Sequence, residues 1–217
     1  MAAAGSILIG LTGGIGSGKS RVAELLRALG AAVECSDAIV RELQAPGGAG
    51  LAAIVGAFGR SYLTPEGELD RPKLGKLVFN DATARAKLNL LIHPLVTRET
   101  QARIAEHRAS GVPVIVADIP LLLEGKQAGI GSGAVLPFDL VALVYASEEQ
   151  QLARVMARDK LSREDALSRI RSQLPIDEKR ALADVVIDNS GAWEAAEKQV
   201  RELYSEWVKR ARSGSTR

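Results

Sequence analysis

Short runs of apolar residues recur along this chain, and longer segments with helical periodicity separate them. Such runs are typical of buried strands, and five of them occur, at residues 6–11, 31–35, 114–118, 139–145 and 184–188. The alternation of strand and helix favours a mostly parallel sheet covered by helices on both faces. The pattern therefore predicts a three-layer α/β protein with a five-stranded sheet and with ligands at the carboxyl ends of the strands.

One interval between predicted strands, residues 37–111, is longer than a simple helical crossover requires, and a second, residues 147–180, is helical and rich in arginine. Residues 37–111 predict a helical insertion on the substrate side of the sheet, and residues 147–180 predict a helical lid. Within the insertion, His93-Pro94 should separate two helices, because the residue before a proline avoids the helical region. We interpret the chain as one domain of residues 1–217, with a core at about 6–36, 112–146 and 181–210.

Two segments are predicted to lack regular structure. The segment from Gly125 to Pro137 contains four glycines and little periodicity, so it is expected to form a flexible surface loop. Ser213 to Arg217 should form a frayed tail after the last helix.

The sequence between the first strand and the first helix contains the most specific motif of the chain. Residues 13–20, Gly-Gly-Ile-Gly-Ser-Gly-Lys-Ser, satisfy the pattern of Gly, four residues and Gly-Lys-Ser. The glycines let backbone N–H groups curve around phosphate, Lys19 can reach the β- and γ-phosphates, and the Ser20 hydroxyl can ligate Mg²⁺. This phosphate loop predicts binding of a nucleoside triphosphate with Mg²⁺ through Gly13, Gly14, Ile15, Gly16, Ser17, Gly18, Lys19, Ser20 and Arg21.

Composition narrows the function classes. One cysteine among 217 residues excludes an intrachain disulfide, and with only two histidines it cannot supply an ordinary zinc site. No apolar stretch approaches the roughly 20 residues that cross a bilayer. The chain has 28 basic and 26 acidic residues, so its net charge gives no argument for a nucleic-acid partner. We expect a soluble cytoplasmic protein that binds neither nucleic acid nor membrane, and nothing fixes its oligomeric state.

Two aspartates follow predicted strands at the edge that carries the phosphate loop. A P-loop enzyme that phosphorylates an alcohol must hold the γ-phosphate and the metal and orient the acceptor hydroxyl. Asp37 can accept or orient the hydroxyl proton, although capping a helix is an equal alternative. Asp118 resembles the acidic residue that supports Mg²⁺ in P-loop proteins, and its alternative is a strand-end turn residue.

Two arginines of the predicted lid share one helix face. Arg154 and Arg158 are four residues apart, so both can point at one phosphate cluster, and either can stabilise charge in the transition state. Spacing alone favours the alternative of a solvated charged face in which Glu148, Glu149 and Asp159 are the partners. His93 can meet substrate, or it can simply pack at the expected helix junction.

Several segments, in the same order and spacing, resemble the dephospho-coenzyme A kinase family. They are residues 11–20, Asp37-Ala38-Ile39-Val40-Arg41, Ile92-His93-Pro94 and Ile119-Pro120-Leu121-Leu122-Leu123-Glu124, followed by 158–162, 169–173 and 183–191. The resemblance extends from residue 7 to about residue 207. It implies the three-layer P-loop NTPase fold with a helical insertion and a helical lid.

The resemblance also implies a reaction and roles. The reaction is transfer of the ATP γ-phosphate to the ribose 3′-hydroxyl of dephospho-CoA, which gives CoA and ADP in the last step of CoA biosynthesis. Asp37 would be the general base or hydroxyl-orienting group, Lys19 the phosphate-bridging cation and Arg158 the lid cation. The candidate substrate-binding residues are Arg41, His93, Leu121, Glu124 and Arg154.

The chain departs from the family pattern at one position. Where the family commonly has Asp-x-Asp, this chain has Cys35-Ser36-Asp37, so metal binding is expected to rely on Ser20 and Asp118. The alternative function is that of a P-loop kinase for another nucleoside, nucleotide or small alcohol. A GTPase switch is disfavoured because no Asn-Lys-x-Asp segment occurs.

Overall fold

A computed structural model describes residues 5–213 of the chain. All five predicted strands are present, and each end lies within two residues of its predicted position. They are β1 (Ile7–Gly13), β2 (Ala32–Cys35), β3 (Val114–Asp118), β4 (Leu140–Tyr145) and β5 (Val185–Asp188).

Helices connect the strands throughout the described part of the chain. They are α1 (Lys19–Ala28), α2 (Ser36–Leu43), α3 (Ala49–Phe58), α4 (Arg71–Asn80), α5 (Ala82–Ala109), α6 (Leu122–Ala128), α7 (Gly131–Val135), α8 (Glu148–Asp159), α9 (Arg163–Arg171), α10 (Ile176–Leu182) and α11 (Trp193–Ser213), with a 3₁₀ helix at Arg60–Tyr62.

Strand β1 lies at the centre of the sheet and is buried on both faces. The strand order is β2-β3-β1-β4-β5, and every neighbouring pair is parallel. Leu11 and Ile9 pack on one face with Leu26 of α1 and Trp207 of α11, whereas Leu8 packs on the other face in the cluster that includes α5. Two covered faces explain why the strand is apolar at nearly every position. The predicted three-layer α/β fold is confirmed, and its sheet is wholly parallel.

The helices between β2 and β3 have an apolar cluster of their own. Ile39 of α2, Ile54 of α3, Leu74 of α4 and Ile92 of α5 are all buried in it. The division into a core, an insertion (37–111) and a lid (147–180) stays a prediction. Within residues 5–213, no helix is long and apolar enough to cross a membrane. Beyond Ser213, where α11 ends, the predicted tail lies outside the described residues.

The predicted break at His93-Pro94 is wrong, because α5 continues through Pro94. Proline has no N–H to donate to the carbonyl group four residues earlier. That carbonyl belongs to Leu90, a residue on the solvent side of the helix that is 77% exposed. On the other side of the helix, Ile92 and Val96 are buried in the cluster of the α2–α5 helices. Packing on one face and solvent on the other therefore preserve the helix.

The predicted flexible loop from Gly125 to Pro137 is also wrong, because α6 and α7 occupy most of it. A Cβ on Gly133 would overlap the carbonyl oxygen of Leu122, and one on Gly125 would lie 2.9 Å from the carbonyl oxygen of Ile130. These two glycines allow the backbones of α6 and α7 to pack closely. They mark close approach of two segments and not flexibility.

Replacing Gly133 by alanine should lower the free energy of unfolding by about 1–3 kcal/mol, because the added methyl group meets backbone that cannot turn away. Gly56 of α3 is the matched control, since a Cβ there meets nothing within 4 Å. Gly56→Ala should stabilise the helix by up to about 1 kcal/mol. Urea unfolding measures both changes, and equal stabilities of the two variants would contradict the close packing of α6 on α7.

Candidate active site

The phosphate loop joins the end of β1 to the start of α1. Gly16 and Gly18 have φ values of 77° and 94°, a left-handed region that favours glycine. Within the loop, the Ser17 N–H donates to the Gly14 carbonyl at 3.0 Å. Gly18 is the N-cap of α1 and has no side chain to cap the helix, so the first N–H groups of α1 are available for an anion.

The carbonyl side of the phosphate loop is held from outside by two side chains. The Asn189 side-chain amide donates to the Ser17 carbonyl at 2.7 Å. The Arg154 guanidinium donates to the carbonyl groups of Gly16 at 3.3 Å, Ser17 at 3.4 Å and Asn189 at 2.9 Å. These contacts fix the carbonyl groups and leave the opposite side of the backbone for phosphate. The structure thus places Arg154 against the loop itself, where its contacts are to backbone.

Lys19 forms a short ion pair with Asp118 of β3. Asp118 is only 4% exposed, and its burial raises the pKa of the carboxyl group, while the charge of Lys19 lowers it and that of Asp37 raises it further. The influence of Asp37 on Asp118 shows that the two carboxylates belong to one electrostatic site. The end of β3, the start of α1 and the start of α2 therefore meet around Asp118.

Asp37 is the second residue of α2 and is exposed. The N-cap position is held by Cys35, which makes no side-chain capping hydrogen bond, so the capping alternative for Asp37 is wrong. The neighbouring Ser36 hydroxyl donates to the Asp118 carbonyl at 3.1 Å and attaches the start of α2 to the end of β3. This hydrogen bond holds the Asp37 backbone close to the edge of the sheet that carries the phosphate loop.

Beside Asp37 lies a pocket of about 450 Å³, here called the apolar pocket. Helices α2, α5, α6 and α7 contribute to its walls, which are mostly aliphatic residues and glycines. It is lined by Ser36, Asp37, Val40, Asn89, His93, Val96, Ile119, Pro120, Leu121, Glu124, Gly125, Ala128, Ile130, Gly131, Ser132 and Gly133.

Four of the predicted site residues meet in the apolar pocket: Asp37, His93, Leu121 and Glu124. Burial lowers the pKa of His93, so its imidazole is neutral at pH 7 and can both donate and accept a hydrogen bond. Arg41 does not line the pocket, but it is exposed one helical turn after Asp37 and therefore lies on the same face of α2.

Arg158 lies on α8 and pairs with its neighbour Asp159. Its guanidinium donates to the two carboxylate oxygens of Asp159 at 2.7 and 3.0 Å, and 62% of its side chain is exposed. Arg169 adds a longer contact to Asp159 at 3.5 Å. This pairing is the one that the solvated-face alternative predicts. A contact of Arg158 with the transferring phosphoryl group stays a prediction.

A series of polar contacts connects the phosphate loop with the apolar pocket, and the sequence analysis predicted none of these contacts. Gln173 accepts a hydrogen bond from the Ile15 N–H at 3.1 Å, and the next residue, Leu174, donates its N–H to Glu124 at 3.0 Å. The Lys179 ammonium lies 2.7 Å from the same Glu124 oxygen. Lys179 follows Ile176 by three residues on one face of α10, a spacing that could have indicated burial.

The residues present fit Mg²⁺ that arrives with a triphosphate. Mg²⁺ prefers hard oxygen ligands and usually takes one or two from the protein, with phosphate oxygens and water completing its shell. The Ser20 hydroxyl, exposed in the first turn of α1, and the Asp118 carboxylate are donors of this kind. Over residues 5–213, no group of three or more His, Cys, Asp or Glu residues could hold a metal by itself.

Comparison with known proteins gives one consistent family. The model of the dephospho-CoA kinase family matches residues 7–195. A dephospho-CoA kinase of Carboxydothermus hydrogenoformans is 44% identical over 200 residues, which cover 92% of this chain and 94% of that protein. A dephospho-CoA kinase of Arabidopsis thaliana is 41% identical over 96% of this chain and 90% of its own length. The solved dephospho-CoA kinase of Campylobacter jejuni is 27% identical, with a TM-score of 0.67 over 93% of this chain and 97% of its own.

Proposed function

The chain belongs to the dephospho-CoA kinase family, and from this membership we propose that it transfers the ATP γ-phosphate to the ribose 3′-hydroxyl of dephospho-CoA. The products are CoA and ADP, and the reaction is the last step of CoA biosynthesis. The contacts of Asp118 support this proposal, because Lys19 of the phosphate loop and Ser36 beside Asp37 both bind to it. The γ-phosphate of a nucleotide in the phosphate loop and the hydroxyl group of an acceptor in the apolar pocket would therefore lie close together near Asp118.

Asp37 accepts or orients the proton of the acceptor hydroxyl. In a loose phosphoryl-transfer transition state the attacking oxygen loses its proton late, so alignment of that oxygen matters more than the basicity of the carboxylate. An exposed carboxylate at the wall of the apolar pocket suits this role. His93, Leu121 and Glu124 bind the acceptor inside the pocket, and Arg41 contacts it from the exposed face of α2.

Lys19 exchanges its contact with Asp118 for the β- and γ-phosphate oxygens when ATP binds. Within the phosphate loop, from Gly13 to Arg21, the backbone N–H groups without a partner in the described part of the chain bind the remaining phosphate oxygens, whereas those of Ile15 and Ser17 are bonded to Gln173 and Gly14. Ser20 and Asp118 would hold Mg²⁺, which neutralises phosphate charge when bound. Arg154 acts from outside the loop by fixing its carbonyl groups, and through them it orients the N–H groups that bind phosphate.

The helices α2–α5 form the acceptor-side insertion, and α8–α10 form the lid, within one kinase domain that works in the cytoplasm. Closure of the lid brings Arg158 to the transferring phosphoryl group, where its charge stabilises the transition state. The exposed pair with Asp159 can release Arg158, since exposed ion pairs contribute little stability.

Replacing Arg158 by alanine should lower kcat about tenfold, because one charge-assisted hydrogen bond to the transferring group is lost. Thermal stability should be almost unchanged. Arg201→Ala is the matched control, since Arg201 of α11 also forms an exposed ion pair, with Glu197 at 2.7 Å. Steady-state kinetics of both variants measure the effect. If Arg158→Ala and Arg201→Ala have the same kcat, Arg158 is a solvent-exposed surface residue with no role in catalysis.

Acceptor selectivity tests the proposed function. Purified protein with ATP and Mg²⁺ should release ADP rapidly with dephospho-CoA and far more slowly with adenosine, with AMP or without acceptor. Preference for adenosine or AMP would favour the alternative, a P-loop kinase for another nucleoside or nucleotide. Equal ADP release with and without dephospho-CoA would contradict phosphorylation of an alcohol.

A further inference from the structure

Lys179 of α10 is a fully buried cation next to the apolar pocket. Its side chain is 0% exposed, whereas most lysines keep their ammonium group in water. A buried ammonium group is costly unless an anion compensates it. The compensating anion here is Glu124, which lines the apolar pocket.

The two oxygens of Glu124 are in different situations. Oε1 accepts the Leu174 N–H at 3.0 Å and lies 2.7 Å from Lys179 Nζ, at an angle outside that of a hydrogen bond. Oε2 is buried and has no hydrogen-bond partner among residues 5–213. A buried carboxylate oxygen without a partner is rare in proteins and indicates a position that a ligand or water satisfies.

We propose that Lys179 is a positioning residue for the acceptor: with the Leu174 N–H it holds Oε1 of Glu124, so that the carboxylate group at the wall of the apolar pocket accepts a hydrogen bond from a donor group of dephospho-CoA. The proposal rests on the function proposed above. Lys179 itself need not touch the acceptor. Its contact with Oε1, together with that of the Leu174 N–H, fixes the rotamer of Glu124, so the donor group meets an oriented carboxylate.

The competing explanation is that the ion pair only attaches α10 to α6. A purely structural pair affects stability and both substrates together, because the same lid segment contacts the phosphate loop through Gln173 and Ile15. A positioning residue for the acceptor affects dephospho-CoA selectively. The ratio of the two KM changes therefore separates the explanations.

Lys179→Met keeps the length of the side chain and removes its charge. We expect the KM for dephospho-CoA to rise about tenfold, which corresponds to ~1.4 kcal/mol of binding, while the KM for ATP stays within about twofold. Lys198→Met is the matched control, since Lys198 of α11 is 78% exposed and forms only a 3.9 Å pair. Its kinetics should equal those of the wild type. Proportional changes in both KM values, or no change in either, would overturn the proposal.

Removing one partner of a buried pair can prevent folding, so the double variant Glu124→Gln with Lys179→Met completes the test. Replacing both charges leaves no uncompensated ion, and this variant should fold. Its KM for dephospho-CoA should also rise about tenfold or more, with the KM for ATP nearly unchanged. A wild-type KM for dephospho-CoA in the double variant, or loss of folding in both variants, would assign the pair a structural role only.

Calorimetry measures binding of dephospho-CoA to the wild-type protein, and it distinguishes failure of the proposed function from failure of the role proposed for Lys179. If the wild type neither binds nor phosphorylates dephospho-CoA, the proposed function fails before any variant is compared. If the wild type does both and Lys179→Met equals the Lys198→Met control, the function stands and the role of Lys179 is refuted.

Discussion

Replacing Lys19 by alanine should lower kcat about 1,000-fold and raise the KM for ATP, because the variant loses the cation that bridges the β- and γ-phosphates. Lys19 is the first residue of α1 and pairs with buried Asp118, so its ammonium group is already held at the phosphate loop. Lys198→Ala is a control for the loss of a positive charge at an exposed site. Initial rates at saturating dephospho-CoA measure both variants, and an active Lys19→Ala enzyme would contradict the phosphate-loop assignment.

The free energy of unfolding of Lys19→Ala should depend on pH in a way that distinguishes a loss of stability from a loss of catalysis. Without Lys19, Asp118 loses the charge that lowers its pKa, so burial raises that pKa further. A carboxyl group with a higher pKa in the folded state binds more protons there than in the unfolded chain. The stability of Lys19→Ala relative to wild type should therefore fall as the pH rises above the ordinary range for aspartate. Thermal melting between pH 5 and pH 8 measures this fall, and kinetics near pH 6 isolate the catalytic loss.

Replacing Asp37 by asparagine should lower kcat about 100-fold and leave the KM for ATP within about twofold. Asparagine keeps the size of the side chain but cannot take a proton from the acceptor. Because Asp37 is exposed and provides no helix cap, the melting temperature should change little. Glu66→Gln, at an exposed carboxylate outside the apolar pocket, is the control. Equal turnover of Asp37→Asn and wild type would remove Asp37 from the reaction.

The sequence predicted the sheet well because its strands have unambiguous apolar patterns. β1 is buried on both faces, and the phosphate loop after it has one required context, a strand before it and a helix after it. The secondary-structure predictions were wrong where one residue type is compatible with two different local structures. Pro94 breaks many helices, but here it remains inside α5, where Leu90 lies on the exposed side of the helix and Ile92 is buried on the other. Gly133 was interpreted as a sign of flexibility, whereas it permits close packing.

Several candidate site residues were named from the sequence, but the contacts that connect them were not. The structure brings Asp37, His93, Leu121 and Glu124 to one pocket, and their roles stay predictions. The burial of Lys179 had only one weak signal, its spacing from Ile176, because a lysine in a charged helix resembles a solvent-exposed residue until its distant partner is known. The position of Arg154 on the outside of the phosphate loop likewise depends on backbone carbonyl groups, which no residue pattern encodes.

Cys35 replaces the first carboxylate of the family pattern and lies opposite Asp118 in the β2–β3 register. A thiol is a poor ligand for Mg²⁺, which prefers oxygen. Asp37 and Asp118 are two carboxylates that lie at this edge of the sheet, and the charge of Asp37 raises the pKa of Asp118. Under the proposed function, Asp37 is therefore expected to act on the hydroxyl, and Ser20 and Asp118 are expected to hold the metal.

The position of the transferred phosphate tests the central claim most directly. Dephospho-CoA, incubated with the purified protein, ATP and Mg²⁺, should gain one phosphate, and fragmentation in the mass spectrometer should place it on the ribose 3′-oxygen. That result would confirm transfer to the 3′-hydroxyl, the reaction for which the apolar pocket is proposed to hold the acceptor. Phosphate on another oxygen of dephospho-CoA, or ADP formed without any phosphorylated acceptor, would contradict the account.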